Sequence, residues 1–389
     1  MDLPIINKYD NMRASMVWVK IYLNARLGRP IDCGRVKARF HRIAKYNPAD
    51  KDITAKTAPG FENASDDVKS FADKNFSKEE ILNTLEECDI SGCGGAGYPT
   101  YKKLAALKPG KDGKKTLVIN AVECDIGLVH DEYIFENYFD EVETAAKILK
   151  DTFGFDTVIM GLKHKTSVSS DVMTFKKVSD GYPAGAERIL INLLTGDVIL
   201  GTEKPTERGY VVLNIQTMLT VYNALRYGKK YDGKFITVTN VPKRHGIAVY
   251  VPFGTPVSEI AQQYLGDLED GLCLLVGSGV MKGHIAEDGE VTGKETNFIA
   301  YGERPLIKET TDCMYCNACI RACPMEIKVK TLVDNIINGY FKEAAVYGPE
   351  RCIGCNSCSY VCFYRRNNPQ VILEYNQRRL LAEAAEKAE

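Results

Sequence analysis

Histidine and tryptophan are scarce in this chain, with five histidines and one tryptophan among 389 residues. The histidines, at positions 41, 130, 164, 245 and 284, have none of the spacings that bind zinc. No run of eighteen apolar residues occurs, which excludes an ordinary membrane-spanning helix. The start, Met1-Asp2-Leu3-Pro4, has neither the basic nor the apolar region of an export signal. Neither sign of charge is in excess: 50 basic residues face 51 acidic ones, a net charge of −1, which argues against nucleic-acid binding by bulk charge. The dinucleotide fingerprint G-x-G-x-x-G after a strand and the Walker sequence G-x-x-x-x-G-K-[ST] are both missing.

Cysteine, by contrast, is plentiful at 13 residues. Eight fall into two copies of one spacing, C-x2-C-x2-C-x3-C: Cys313, Cys316, Cys319 and Cys323, then Cys352, Cys355, Cys358 and Cys362. This is the bacterial ferredoxin run, in which three thiolates of one loop clasp a [4Fe–4S] cube and the fourth reaches the other cube. The expected ligand sets are therefore Cys313, Cys316, Cys319 and Cys362 for one cluster, and Cys352, Cys355, Cys358 and Cys323 for the other. Pro324 ends the first copy, whereas Phe363 stands in that place in the second. Zinc sites use pairs of cysteines separated by a longer gap, so zinc fits this pattern poorly. So many free thiols require a reducing compartment.

Much of the chain precedes Cys313. Residues 12–46 have helical spacing, with Met12, Met16, Val19, Leu23 and Leu27 on one face, then a basic stretch around Arg35, Lys37, Arg39, Arg42 and Lys45. Either a docking helix or a solvated basic face accounts for it. Residues 47–76 are polar and broken by Pro48, Pro59 and Gly60. Ser77-Lys78-Glu79-Glu80 is a capping box that starts a helix running to about Cys88.

Next comes Ser91-Gly92-Cys93-Gly94-Gly95-Ala96-Gly97-Tyr98-Pro99-Thr100, followed by a helical segment. Glycines let the backbone approach a ligand closely, and the following helix offers bare N–H groups, so the loop is a candidate phosphate cradle with Lys102 or Lys103 adding charge. Thr116 to Val122 is a continuous β-branched strand ending in Glu123-Cys124-Asp125. Polar residues at the carboxyl end of such a strand are where open α/β sheets bind ligands. A helix at about 132–152 and a strand from Thr157 to Met160 continue the alternation. A helix to about Arg226, a strand from Lys234 to Val241 and a helix near 257–265 follow.

The order of GGAGYPT at 94–100, INAVEC at 119–124, YPAGAE at 182–187, VVLNIQT at 211–217 and the C-terminal cysteine repeat resembles the C subunit of the Rnf complex. More distantly it is similar to the flavoprotein subunit of respiratory complex I. The resemblance covers about residues 80–370. It implies an α/β fold: a complex I flavoprotein-like domain binding FMN and NADH over 77–230, a small β-grasp (SLBB-like) module over 231–300 and a two-cluster ferredoxin-like domain over 301–375. These lie between a basic helical extension (1–76) and a helical tail (376–389). It also implies FMN, two [4Fe–4S] clusters and NADH as electron donor.

Carried onto this chain, Gly92, Gly94, Gly95, Gly97 and Lys102 match the flavin loop, and Asn120 and Glu123 match the strand end. Glu187 and the pair Asn214 and Thr217 match positions near the flavin. Glu187 could instead cap a helix, and Asn214 could brace a loop. The implied partners are NAD(H) and a protein such as ferredoxin, a corrinoid protein or a thiol or amino-acid reductase. The implied place is the cytoplasm, at most peripheral to the inner membrane face through partner subunits.

Three features depart from the family. The start does not look like its lipoyl-like sandwich. Asp125-Ile126 replaces a Glu-Pro pair, and a nearby arginine is replaced near Tyr133. Cys93 stands inside the glycine loop, where it is either a reactive thiol or a small buried filler. Glu123 and Cys93 are the candidate catalytic residues. A second reading from another class is an iron–sulfur wire that binds no nicotinamide, its flavin fold kept as a scaffold.

Overall fold

A computed structural model describes residues 68–386 except 96, 126–127, 179–180, 200–202, 241–244 and 303–309. The helical reading of 12–46 lies outside them. The described residues fall into two compact units, one ending at Gly302 and the other holding the cysteine repeat.

In the first unit, helix α1 (Lys78–Glu87) begins as expected. The Ser77 Oγ accepts the Glu80 N–H at 3.1 Å while the Glu80 carboxylate accepts the Ser77 N–H at 2.7 Å. After α2 (Thr100–Ala105) comes strand β1 (Thr116–Ala121), then α3 (His130–Asn137) and α4 (Phe139–Phe153). The sequence predicts one helix over about 132–152. It is broken at Tyr138, whose ring packs between Tyr133 and Phe235 and whose backbone leaves helical angles.

Strands β2 (Thr157–Leu162), β3 (Thr174–Lys177) and β4 (Tyr210–Asn214), helix α5 (Glu187–Thr195) and helix α6 (Ile215–Tyr227) complete a parallel sheet of order β3-β2-β1-β4. Its inner strands are buried on both faces. Leu117, Ile119, Met160 and Leu213 pack with α4 and α6, while Val118, Ile159 and Val212 pack with Leu190 and Leu194 of α5. This double burial is why β1 reads as an unbroken apolar run.

A second, mixed sheet follows in the same unit: β5 (Gly233–Asn240), β6 (His245–Pro252), β7 (Cys273–Gly277), β8 (His284–Ile285) and β9 (Phe298–Gly302), in the order β6-β5-β9-β7-β8. β5 pairs parallel to β9, and helix α7 (Val257–Leu265) covers Ile236, Val238 and Val249 with Val257, Ile260 and Ala261. Gln216 at the start of α6 ties this sheet to the first: its buried amide donates to the Phe235 carbonyl at 3.1 Å and accepts the Phe235 N–H at 2.5 Å.

In the second unit, α8 (Ala318–Arg321), α9 (Val329–Ile337), α10 (Phe341–Val346), α11 (Ser357–Tyr360) and α12 (Asn368–Glu386) surround the cysteines. The two copies share their backbone as well as their spacing. Left-handed angles recur at matching positions, Tyr315 and Gly354 (φ 57° and 62°), Asn317 and Asn356 (58° each), and Glu326 and Arg365 (55° and 58°). These turns are what aim successive sulfurs toward a common centre. Among the described residues, no helix is long and apolar enough to cross a membrane.

Candidate functional site

The parallel sheet diverges between β1 and β4: from β1 the chain crosses to β2 on one side, while β4 lies on the other. Such a divergence leaves a crevice at the carboxyl ends of the strands. Asn120 and Asn214 stand there in register. Asn214 Oδ1 caps α6 by accepting the Gln216 N–H at 2.8 Å, and its Nδ2 donates to Asp131 Oδ2 at 2.7 Å. Asn120 Oδ1 accepts the Val122 N–H at 3.1 Å, and its Nδ2 donates to the Gly185 carbonyl at 3.0 Å, which fastens the 182–187 turn to the strand end.

Just beyond β1, Glu123 adopts φ +43°, a left-handed conformation costly for a residue with a side chain. The conformation turns its carboxylate inward, where the residue is 5% exposed. Oε1 accepts the Asp131 N–H at 2.8 Å, and Oε2 lies 3.2 Å from Lys163 Nζ, which also pairs with Glu132 at 2.9 Å. Burial raises Glu123 above the usual carboxylate range, with Lys163 acting against that shift. Burial likewise opposes the charge of Lys163, but Glu123 and Glu132 outweigh it and raise the lysine. Burial, then the Glu123 carboxylate, pushes Asp131 up to about 8, so that it carries a proton at neutral pH. Its Oδ1 is buried without a hydrogen-bond partner.

His130 completes the group, with Nδ1 3.1 Å from Thr237 Oγ1 and 3.9 Å from Glu123. Glu123, His130 and Asp131 offer ligand atoms within 4.8 Å of one another. Distance alone would allow a cation, but the Lys163 ammonium already serves Glu123, and Lys234 and Lys163 lie close enough to disfavour positive charge on His130. The group is a charge network around a carboxylate.

Burial, then Lys234 and Lys163, lowers His130 to about 3 from 6.5. The neutral imidazole therefore stabilises the fold fully above pH 6.5, and that contribution is lost as pH falls toward 3. The wild-type chain is expected to lose stability relative to His130→Gln as pH is lowered from 7 to 5, by at most about 1.4 kcal/mol per pH unit. Calorimetric melting of both proteins across that range checks this, and parallel curves would contradict it.

The glycine loop lies beside the same strand ends. Its stem is closed by the Gly92 N–H to the Tyr98 carbonyl and the Thr100 N–H to the Ile90 carbonyl, both 2.9 Å. Thr217 Oγ1 on α6 accepts the Cys93 N–H at 2.9 Å, and Gly94 is close enough for a Cβ there to lie 3.7 Å from Asn214 Cβ. Gly95 (φ +98°) and Gly97 (φ +59°) take backbone angles that side chains disfavour. The hydroxyls of Ser91 and Thr100, flanking the loop, are buried without hydrogen-bond partners. A cradle of small residues with orphaned hydroxyls at its ends fits a phosphate-bearing ligand such as FMN.

Cys93 is 1% exposed and its Sγ faces the Ser91 carbonyl at 3.7 Å. That placement favours packing over exchange with a partner's disulfide. Lys102 is exposed, over the Tyr101 ring. Lys103 turns inward instead, 3.1 Å from Glu187 Oε1 and 3.0 Å from the Val212 carbonyl. Glu187 is thus the first residue of α5 and an ion-pair partner. The turn at 277–283 also belongs to this region: Ser278 packs under Gly95, and the Asp125 carboxylate fills the place a Gly279 side chain would take.

Sequence reasoning missed Lys163, Asp131, His130 and Lys234 as members of this region. For Lys163 a signal existed, a lysine directly at the end of the apolar strand Thr157–Leu162.

In the second unit the eight cysteines form no disulfides and gather in two groups. Burial pushes Cys319 up to about 11, with Cys362, Cys313 and Cys316 as the next causes, so these four sulfurs are neighbours. Cys313, Cys316, Cys319 and Cys362 also line one cavity. Burial pushes Cys323 up to about 12, helped by Cys355 and Cys352, and raises Cys358 well above its ordinary value with Cys355, Cys323 and Cys352 beside it. Backbone N–H groups already point at sulfur, from Tyr315 to Cys313 and from Ile327 to Cys323, each at 3.4 Å. Four soft donors per group with N–H support fit a [4Fe–4S] cluster.

Residues 85–223 match the family model of the Nuo51 FMN-binding domain, and residues 312–366 that of the 4Fe-4S dicluster domain. Over 362 residues the sequence is 28% identical to the C subunit of the ion-translocating oxidoreductase complex of Rhodobacter capsulatus, covering 89% of this chain and 69% of that protein. These matches make the chain similar to C subunits of the Rnf type. The Vibrio cholerae protein of the same name is 26% identical over 65% of this chain and 34% of its own length. The C subunit of the proton-translocating ferredoxin:NAD(+) oxidoreductase complex of Clostridium ljungdahlii is 25% identical over 67% and 59%. The chain thus spans about a third to two thirds of the length of these relatives. A chain of an NAD+-reducing [NiFe]-hydrogenase shares the fold, with a TM-score of 0.53 at 14% identity over 78% of this chain and 61% of that one. Matches to an FMN-binding domain and a 4Fe-4S dicluster domain in one chain support an electron-transfer subunit of the oxidoreductase class.

Proposed function

We propose that the chain takes electrons as hydride from NADH and delivers them singly, through two [4Fe–4S] clusters, to a protein partner within a larger oxidoreductase. The observation that carries this reading is the joining of an FMN-binding domain to two gatherings of four cysteines. FMN supplies the conversion between two-electron and one-electron transfer, because nicotinamide gives its electrons as a pair and each cluster accepts one.

The residues divide the work. Backbone N–H groups of Gly94, Gly95 and Gly97 would hold the flavin phosphate, while Gly92 closes the stem of the loop on Tyr98, with charge supplied by Lys103 beside Glu187 and Lys102 left at the surface. Asn120, Asn214 and Thr217 position the loop and strand ends against each other. Glu123 presents a buried carboxylate whose charge Lys163 balances, and protonated Asp131 beside it can hold or release a proton at neutral pH. Glu187 keeps Lys103 in place. We assign Cys313, Cys316, Cys319 and Cys362 to one cluster and Cys352, Cys355, Cys358 and Cys323 to the other.

The mixed sheet over 231–300 is read as the SLBB-like module. The name of the Clostridium relative pairs ferredoxin with NAD+, which favours ferredoxin among the partners considered. Membrane contact, if the chain joins an ion-translocating complex as its relatives do by name, would come through partner subunits.

Anaerobically reconstituted protein should carry FMN and oxidise NADH while reducing about two equivalents of a one-electron acceptor such as ferricyanide per NADH. Brown, iron-loaded protein that binds no flavin and leaves NADH untouched would overturn this reading in favour of an iron–sulfur wire.

A further inference from the structure

Lys234, near the start of β5 in the mixed sheet, is 1% exposed. Its ammonium donates to the Cys93 carbonyl of the glycine loop at 2.8 Å, to the Lys294 carbonyl at 3.1 Å and to Asn297 Oδ1. Three donors meet three oxygens, so the buried charge is fully satisfied. Asn297 Nδ2 then donates to the Ser278 carbonyl at 3.2 Å. A Cβ on Gly95 would lie 2.8 Å from Ser278 Cβ and 3.3 Å from Asn297 Nδ2. The glycine loop therefore rests on the turns of the mixed sheet, and one buried cation fastens it there.

We infer that Lys234 is a positioning residue that sets the affinity of the glycine loop for a phosphate-bearing ligand, which makes the mixed sheet part of the flavin site. The inference rests on the reading of that loop as the FMN phosphate cradle. Three physical effects act together. The Cys93 carbonyl and the Gly94 N–H belong to one planar trans peptide, so an ammonium on the oxygen makes the opposite N–H a stronger donor. A loop rich in glycine loses much conformational freedom on binding, and a pinned carbonyl removes part of that loss beforehand. A positive charge held away from water under the cradle also favours an anion above it.

A buried lysine could merely join two sheets, and protonation separates the two roles. Burial lowers Lys234 to about 8, against the pull of Cys93 in the loop, Asp131 on α3 and Glu295 before β9, with His130 of α3 also close. Asp131 titrates in the same range and must be controlled.

The test is FMN binding to the full chain stripped of flavin, followed by flavin fluorescence at pH 7 and pH 9. Wild type is expected to bind about tenfold more weakly at pH 9, as one proton is lost near pH 8. Asp131→Asn should keep most of that change. Lys234→Met should bind at least about tenfold more weakly than wild type at pH 7 and converge with it at pH 9, where the native amine is also neutral. Wild-type affinity in Lys234→Met at pH 7, or an equal loss at both pH values, would overturn the positioning role. Wild type that binds no FMN at either pH would overturn the flavin reading itself and this inference with it. Should Lys234→Met fail to fold, Asn297→Ser removes one acceptor and keeps the ammonium. The midpoint of the pH dependence is then expected below that of wild type, and an unchanged midpoint would overturn the role.

Discussion

Gly95→Val empties the flavin site and leaves the iron in place. Gly95 holds φ +98°, where any Cβ is strained, and its Cβ would stand 2.8 Å from Ser278 Cβ, an atom bonded directly to the backbone that no rotamer change moves away. The strained backbone costs about 1–3 kcal/mol and the overpacking a similar amount. Relieving both means moving the loop off the mixed sheet, and with it the N–H groups that would face a phosphate. FMN affinity should fall by at least about a hundredfold, since each 1.4 kcal/mol is about a factor of ten. Iron content should be unchanged, because the cysteine repeat lies in the other compact unit. Flavin released by acid and iron measured on the same sample decide it, and a Gly95→Val protein with full flavin would remove the loop from the site.

Cys316→Ser halves the iron, from about eight to about four atoms per chain, and leaves flavin bound. Serine is a hard oxygen donor at a position that calls for a soft thiolate. Cys316 is the exposed member of its group, so the substitution disturbs packing little and reads ligation directly. Cys362→Ser should remove the same cluster, although Cys362 belongs to the second copy of the repeat, because its sulfur lies with Cys319, Cys313 and Cys316. Electron paramagnetic resonance of the two reduced variants should therefore show the same surviving signal. Different surviving signals would mean that each copy ligates its own cluster, and loss of flavin along with iron would mean that the two units do not fold independently.

Much of this was legible because it is local. The cysteine repeat needs only a spacing, and the recurring left-handed turns at 315, 317, 354 and 356 are the backbone form of that spacing. The capping box at Ser77 and the double burial of Thr116–Ala121 are likewise written in a few adjacent residues. Strand β3 escaped notice because four residues with two lysines on a sheet edge carry no apolar pattern.

The site was legible at its glycines and strand ends, and not in the groups that balance its charge. Lys163, Asp131 and Lys234 reach it from a strand end, a helix and a different sheet, so only the tertiary fold brings them together. Which of Lys102 and Lys103 turns inward depends on the rotational phase of one short helix, which two adjacent lysines do not reveal. The motif alone does not separate a reactive from a packing role for Cys93, and its 1% exposure favours packing.

The measurement that bears most directly on the central claim is anaerobic stopped-flow absorbance of the full chain mixed with NADH. Flavin absorbance near ~450 nm should bleach first and the broader cluster absorbance should follow, since electrons enter as a pair and leave singly. Flavin that stays oxidised under NADH, while reduced ferredoxin bleaches the clusters and then the flavin, would contradict entry by hydride and place the inlet at the cysteines.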